Sequence, residues 1–389
     1  MNTLQHAQSH LVYASQSIDE SVEMRAPYLL CKGFINAGWG VEFLTIAQPQ
    51  NRNLSSAWGV APITKVSGKT RAEKLLKLSL RLFCRPRRHF VVTWVWDWHG
   101  YALALARCLI GSPYAVVLDS YAHRATYHGK SLFTQLRLEA RYGFVLRNAD
   151  VIIAESPTAY EAARQHTNAH VILAPSSYWL SDLQAHEQNW REEECTRRPV
   201  ILYTGRLVES KNIHHLVAAF AQVAAKFLEW SVEIVGPATD ETYVLRIQQQ
   251  VRQLGLEGRV RLLPAMTGGE LHRKYKTSAI YCLPSQSEGF PSTILEAMYF
   301  GGAIIASNVG SISYQLDDGC GLLCELGDDF ALTSCLTQLM NSEANRQMLM
   351  DAAKQRFLEK FTWEAHFHNI LHSFETVLGT RPNMTSRFK

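Results

Sequence analysis

The stretch AIYCLPSQSEGFPSTILEAMYFGGAIIAS (residues 279–307) decides the fold. It begins with an apolar run of strand length, AIYCLPS, and closes with another, AIIAS. The segment between them, PSTILEAMYFGG, opens with a proline that suits the first helical position and ends in paired glycines, as helices commonly do. Strand, helix and strand in this order predict a parallel βαβ unit whose strands are buried on both faces.

The same alternation runs through both halves of the chain. The first half contains the strand-like runs HLVYA, VEFLTIA, HFVVTWVW, YAVVLDS, DVIIAES and VILAP, and the second contains VILYTG, WSVEIVG, VRLLPA, AIYCLPS, AIIASNVG and GLLCEL. Helical patterns separate these runs, which indicates α/β architecture with two doubly wound parallel sheets. Ligands bind beyond the carboxyl ends of strands in such sheets, so we expect the two domains to face each other across a cleft.

The predicted boundaries follow the polar segment between the halves. We expect an N-terminal domain over 1–180, a linker over 181–198 and a C-terminal domain over 199–361. A final helix in 362–389 is expected to pack back towards the N-terminal domain.

Composition and motifs exclude several classes of protein. The chain has 389 residues, 47% apolar and 19% charged, which is typical of globular proteins. Its eight cysteines are scattered, which favours reduced thiols and a cytoplasmic location. No zinc-ligand spacing occurs, so no metal site is expected. The first strand is followed by no GxGxxG, and no P-loop motif occurs.

The window Lys65–Arg88 holds nine basic residues and one acid, a net charge of +8 in a chain of net charge +4. Five leucines alternate with these cations. This pattern predicts an amphipathic helix on an anionic membrane surface. The alternative is a solvated basic helix whose leucines lie in the core. A nucleic-acid partner is not expected, because the window lacks interleaved aromatic residues.

Arg206 and Lys211 follow the first strand of the second half, in GRLVESKN. At the ligand-binding edge of a sheet they would clamp a diphosphate, with a guanidinium fork and a mobile point charge. The alternative is a pair of ordinary surface cations.

Two glutamates flank the helix start in 279–307. Glu288 precedes the helix and Glu296 lies inside it, with the backbone amides of Gly289 to Thr293 between them. Helix-start amides favour a phosphate, and the carboxylates would accept hydroxyl groups on either side of it. The alternative is a helix-start acid and a solvated helix acid, which the helix dipole alone would favour.

These residues carry a resemblance to a known family. SEGFPSTILEAMYFGGAIIASNVG, preceded by GRLVESKN and followed by DDGCGLLCELGD, resembles the second domain of the retaining glycosyltransferases of family 4. The resemblance covers residues 200–361 strongly. It is fainter in the first half, where LEARYGFVLRNADVIIAESP is similar to that family's acceptor domain. It implies the GT-B fold, with two Rossmann-like domains facing across a cleft.

The resemblance also implies a reaction: transfer of a sugar, with retention of configuration, from a UDP-, GDP- or ADP-sugar to a lipid-linked or polysaccharide acceptor. It implies no metal and no cofactor. Arg206 and Lys211 would bind the donor diphosphate, Glu288 the donor sugar and Glu296 the ribose. The further donor-binding residues would be Gly205, Gly289, Phe290, Pro291, Ser292 and Thr293.

The sequence departs from the family pattern at three places. The segment SQSIDESVEMR (15–25) lacks the usual glycine pair, and NVGSISYQL (308–316) lacks a second glycine and a glutamate. By strand length the position of the family histidine falls at Asp119 or Ser120, and a histidine follows slightly later at His123. Either Asp119 or His123 would contact the donor sugar or stabilise positive charge at the anomeric carbon. Two alternatives therefore stay open: a nucleotide-sugar-binding GT-B protein without turnover, or another GT-B enzyme such as a phosphorylase.

Overall fold

A computed structural model describes residues 9–15, 25–45, 63–83, 89–94, 99–118, 131–165, 167–175, 177–187 and 196–379. The chain divides into two compact units. The first comprises Met1–Ser176 with Trp363–Lys389, and the second comprises Ser177–Thr362.

The first unit is built on a seven-stranded parallel sheet in the order β3-β2-β1-β4-β5-β6-β7. Its strands are β1 His10–Ser15, β2 Gly40–Thr45, β3 Ile63–Lys65, β4 His89–Trp94, β5 Tyr114–Leu118, β6 Val151–Ala154 and β7 His170–Leu173. The six predicted strands are confirmed. The sequence did not predict β3, because three residues are too few to establish a periodic pattern.

The second unit is built on a six-stranded parallel sheet in the order β10-β9-β8-β11-β12-β13. Its strands are β8 Arg198–Thr204, β9 Ser231–Val235, β10 Val260–Leu263, β11 Ser278–Leu283, β12 Ala303–Ser307 and β13 Leu322–Cys324. All six were predicted. Every residue of β11 and β12 is buried, which explains why the two runs are continuously apolar instead of alternating.

Helices connect the strands. In the described residues they are α1 Arg25–Asn36, α2 Arg71–Phe83, α3 His99–Ile110, α4 Leu132–Asn148, α5 Pro157–Arg164, α6 Leu180–Glu187, α7 Ile213–Ala224, α8 Glu241–Gln253, α9 Gly268–Thr277, α10 Ser292–Phe300, α11 Ile312–Gln315, α12 Asp329–Asn341, α13 Glu343–Lys360 and α14 Trp363–Leu378. Among them, no helix combines the length and the apolar composition that crossing a bilayer requires.

Two helices differ from the sequence prediction. Helix α10 begins at Ser292, so Pro291 is the residue before the helix and not its first residue. Helix α6 occupies part of the predicted linker, and its Leu183 lies in the core of the second unit. The polar composition of that segment concealed the helix.

The order of the second sheet reverses between β8 and β11. The connections that leave these two neighbours run to opposite sides of the sheet and open a crevice at its carboxyl edge. The segments after Thr204 and Leu283 begin at this point. The predicted site residues of the second unit therefore lie in segments that begin where such sheets bind ligands. In the first sheet the corresponding segments, 16–24 and 95–98, lie outside the described residues.

Helix α2 presents its leucines on two faces. Glu73 and Thr70 cap its start, with the Glu73 amide donating to Thr70 Oγ1 at 3.1 Å. Leu78 and Leu82 are fully buried, whereas Leu76 is 61% and Leu80 54% exposed. Because residues two apart in a helix point to nearly opposite sides, one pair of leucines packs in the core and the other faces solvent.

Helix α14 completes the core of the first unit. The Phe374 ring is buried and stacks on Phe90 with the ring centroids 4.1 Å apart. It also contacts the ring of Phe34 in α1 at 4.9 Å. The last helix thus joins an aromatic cluster whose other members come from the first part of the chain.

We predict that Phe374→Ala lowers the free energy of unfolding of the first unit by about 3–5 kcal/mol, because it empties a buried aromatic site. Phe330→Ala is the matched control, since Phe330 is 81% exposed. It should change the free energy by less than about 0.5 kcal/mol. Urea unfolding of the full chain measures both changes. Equal effects of the two substitutions would contradict the placement of α14.

Candidate functional site

The segments after β8 and β11 are joined by hydrogen bonds. The Gln286 amide donates to the Ser210 carbonyl at 2.9 Å, and Gln286 Nε2 donates to Asn212 Oδ1 at 2.7 Å. Asn212 is buried and adopts a left-handed conformation with φ 52°, which asparagine tolerates better than most residues. The two segments therefore form one structural element at the carboxyl edge of the sheet.

An ion pair lies at the centre of this element. Lys211 Nζ is 2.6 Å from Glu288 Oε1, and the two side chains are only 15% and 8% exposed. Ser285 Oγ donates to the same oxygen at 2.7 Å. Among the described residues, these two donors both bind Oε1, so Oε2 can still accept hydrogen bonds. The sequence singled out Lys211 and Glu288 separately, and the structure brings them together.

Arg206 lies in the same segment, with an exposed side chain. Its carbonyl accepts a hydrogen bond from the Tyr203 phenol at 3.0 Å. Burial raises the pKa of that phenol well above its ordinary value, with the Glu288 carboxylate adding to the rise and Arg206 opposing it. Glu288 and Arg206 therefore both influence the pKa of the buried Tyr203 phenol. A side chain on Gly205 would place Cβ 2.9 Å from the Tyr203 hydroxyl, so this turn requires glycine.

A glycine in the segment after β12 fixes the position of Glu288. Gly310 has φ +58°, and a Cβ there would lie 1.9 Å from the Glu288 carbonyl oxygen. The next residue, Ser311, donates its amide to the Gly289 carbonyl at 3.1 Å. Ser311 itself has φ −94°, so the place where the family carries a second glycine accepts a side chain without backbone strain.

The start of α10 is held from several sides. The Phe290 ring lies 6.4 Å from that of Tyr314 and 5.9 Å from that of Phe361. Gln315 Nε2 donates to the Pro291 carbonyl at 3.1 Å. The first amides of a helix lack acceptors within the helix and carry a partial positive charge. Ser292 and Thr293, the first residues of α10, therefore present electropositive amides close in sequence to the ion pair.

Glu296 is buried inside α10, with 3% of its surface exposed. Its Oε1 accepts a hydrogen bond from the Tyr178 phenol at 2.7 Å, and the Tyr275 phenol also hydrogen-bonds with it. The alternative of a solvated helix acid is therefore wrong for Glu296. A buried carboxylate is retained only where hydrogen-bond donors satisfy it.

Two residues that contact the site glutamates, Ser285 and Tyr178, were not predicted from the sequence. Ser285 went unnoticed beside Glu288. Tyr178 is 118 residues from Glu296 along the chain, and no local pattern relates them. Asp119 and His123 lie outside the described residues, so their predicted roles remain predictions. Across the described ranges, no cluster of three His, Cys, Asp or Glu side chains is arranged to hold a metal ion.

Comparison with known proteins adds to this geometry. Residues 185–356 match the family described as Glycosyl transferases group 1. An uncharacterized glycosyltransferase of Haemophilus influenzae is 30% identical over 171 residues, which cover 41% of this chain and 47% of that protein. D-inositol 3-phosphate glycosyltransferase of Corynebacterium diphtheriae is 25% identical over 231 residues, which cover 56% and 54%. This chain thus spans about half the length of the curated relatives it matches.

The solved structures extend the likeness over nearly the whole chain. HepE of Anabaena, in a structure with UDP, superimposes with a TM-score of 0.74 and 17% identity. The match covers 95% of this chain and 100% of that one. The fold is GT-B, as the sequence predicted. The match to the Glycosyl transferases group 1 family lies within the second unit.

We predict that Gly310→Ala destabilises the second unit by about 1–3 kcal/mol more than Gly319→Ala, because only at Gly310 does the new methyl group meet neighbouring backbone. Gly319 is a matched control: its φ is +70°, and its Cβ would meet nothing within 4 Å. Thermal unfolding of the full chain measures the difference. If both variants lose the same stability, the close approach to Glu288 is not a constraint.

Proposed function

We propose that this protein is a retaining glycosyltransferase of family 4, which transfers a sugar from a nucleotide-sugar to a lipid-linked or polysaccharide acceptor. The observation that carries the proposal is the buried Lys211–Glu288 pair beside the start of α10. The pair and the helix beside it place three groups at the reversal point of the second sheet: a cation, a carboxylate suited to sugar hydroxyls and a helix start suited to phosphate.

The proposed chemistry begins with the donor diphosphate. As the bond between sugar and phosphate breaks, negative charge grows on the leaving diphosphate. Arg206 would meet that charge with two parallel donors and Lys211 with a point charge. The backbone N–H groups of Gly289, Phe290, Ser292 and Thr293 would add fixed dipoles, which stabilise developing charge at no reorganisation cost. This preformed positive potential is the basis for proposing transfer without a metal or another cofactor.

The two carboxylates are proposed to bind the remaining parts of the donor, the sugar and the ribose. Glu288 presents Oε2 to hydroxyl groups of the transferred sugar, while Lys211 and Ser285 hold its other oxygen. Glu296 would accept the ribose hydroxyls from inside α10. Asp119 or His123 is proposed to contact the donor sugar. The nucleotide is proposed to be UDP, GDP or ADP; HepE has been solved with UDP and with UDP-glucose, which supports the first of these.

We predict that Arg206→Ala and Lys211→Ala each lower kcat for sugar transfer about 100- to 1,000-fold, because each removes charge stabilisation from the transition state. Nucleoside diphosphate release from UDP-, GDP- and ADP-sugars measures the rate, and NMR of the product establishes whether configuration is retained. Arg246→Ala is the matched control, since Arg246 is half exposed and pairs with Glu209 on the surface.

The same assay decides between the proposal and its alternatives. Donor binding without turnover, with cell-envelope extract supplied as acceptor, would indicate a binding protein. The altered segment 15–25 motivates that alternative. Turnover that depends on inorganic phosphate would indicate a phosphorylase. Unchanged rates in both variants would contradict the assignment of Arg206 and Lys211.

We further propose that the first unit docks on an anionic membrane at the cytoplasmic face through the window Lys65–Arg88. In α2, Leu76 and Leu80 face solvent beside the exposed cations Lys77 and Arg81. Helix α3, which packs against α2, adds exposed leucines at 105 and 109. Exposed leucines together with exposed cations match the composition of surfaces that bind an anionic bilayer.

We predict that Lys77→Ala with Arg81→Ala weakens binding to vesicles containing anionic lipid roughly 5-fold for each charge removed. Leu76→Ser with Leu80→Ser should weaken it too. Leu245→Ser is the control, because Leu245 is equally exposed at 63% but lies in the second unit. Sedimentation with vesicles measures the partition. Unaltered binding of the α2 variants would overturn the docking proposal.

A further inference from the structure

Tyr178 lies where the chain has just entered the second unit. Its amide donates to the Phe361 carbonyl at 3.2 Å, and its backbone pairs with Thr362, the last residue before the chain returns to the first unit. The backbone of Tyr178 is thus tied to the last residues of the second unit.

The side chain of Tyr178 reaches the buried acid of the candidate site. Its phenol donates to Glu296 Oε1 at 2.7 Å. The second phenol on this carboxylate, Tyr275, is held by Thr204, with the two hydroxyl oxygens 2.5 Å apart. Burial, with the charge of Glu296 adding to it, raises the pKa of Tyr275 well above its ordinary value. This phenol therefore keeps its proton and remains a donor at neutral pH.

A carboxylate held by two phenols has a fixed direction. Sites built to hydrogen-bond a hydroxyl discriminate strongly against analogues that lack it, since a buried group is then left unpaired. The direction of Glu296 thus decides whether its acceptors meet the hydroxyls of a ribose.

We infer that Tyr178 is a positioning residue that orients Glu296 towards the 2′- and 3′-hydroxyls of a bound nucleotide, which makes the site selective for ribonucleotides over deoxyribonucleotides. The inference rests on the proposed function, in which Glu296 binds the ribose. Tyr178 itself does not touch the nucleotide; it acts through the carboxylate.

The test is calorimetric titration of the full chain with UDP, GDP and ADP and with their 2′-deoxy counterparts. The wild type binds one ribonucleotide at least about 10-fold more tightly than its deoxy form, the scale of a hydrogen bond to a charged group. Tyr178→Phe keeps the ring and removes the hydroxyl. It weakens ribonucleotide binding about 5- to 10-fold. It weakens deoxynucleotide binding less, because only the 3′-hydroxyl is left there to meet Glu296, so the selectivity falls.

Two further variants complete the experiment. Tyr299→Phe is the matched control. Tyr299 lies on the helix that carries Glu296, but its phenol donates to Glu187 at 3.0 Å, so the affinities for the ribonucleotide and the deoxynucleotide stay at the wild-type values. Glu296→Gln also abolishes the selectivity, and adding Tyr178→Phe to it causes no further loss, since the two residues act as one unit.

Other results overturn the inference. Equal weakening of both nucleotide forms by Tyr178→Phe would give Tyr178 a merely structural role. Equal binding of both nucleotide forms by the wild type would show that Glu296 does not bind the ribose. It would leave the proposed sugar transfer unaffected. Failure of the wild type to bind any of the six nucleotides would overturn the proposed function together with the inference.

Discussion

The ion pair between Lys211 and Glu288 is the interaction on which the candidate site depends. It lies almost out of solvent, and a charge in such a place is strongly destabilising if its partner is removed. The pair therefore constrains the segments after β8 and β11 to stay together, and the hydrogen bonds of Gln286 reinforce this constraint.

The surrounding fold explains why the pair forms there. The reversal of strand order between β8 and β11 brings the two segments to one edge of the sheet. Gly310 allows the backbone at Glu288 to approach the segment after β12 closely, and the rings around Phe290 hold the start of α10. The result is an arrangement that carries positive charge and helix amides before any ligand arrives, which is the condition for electrostatic catalysis.

The sequence predicted the strands and much of the site because both have local causes. Buried parallel strands are apolar along their whole length, as β11 and β12 are, and Lys211 and Glu288 follow strand ends directly. The contact of Tyr178 with Glu296 has no local cause, since it joins distant parts of the chain through packing alone. Helix α6 was missed for a related reason: among its described residues only Leu183 is a buried apolar residue, and one such residue cannot show a helical period.

The most direct test of the account is a crystal structure of the full chain with the nucleoside diphosphate that binds it best. The account predicts the phosphates within about 3 Å of the donors of Arg206, Lys211 and the backbone N–H groups of residues 289, 290, 292 and 293, with the ribose hydroxyls on Glu296. A nucleotide bound to the first sheet, or with its phosphates away from Lys211, would contradict it.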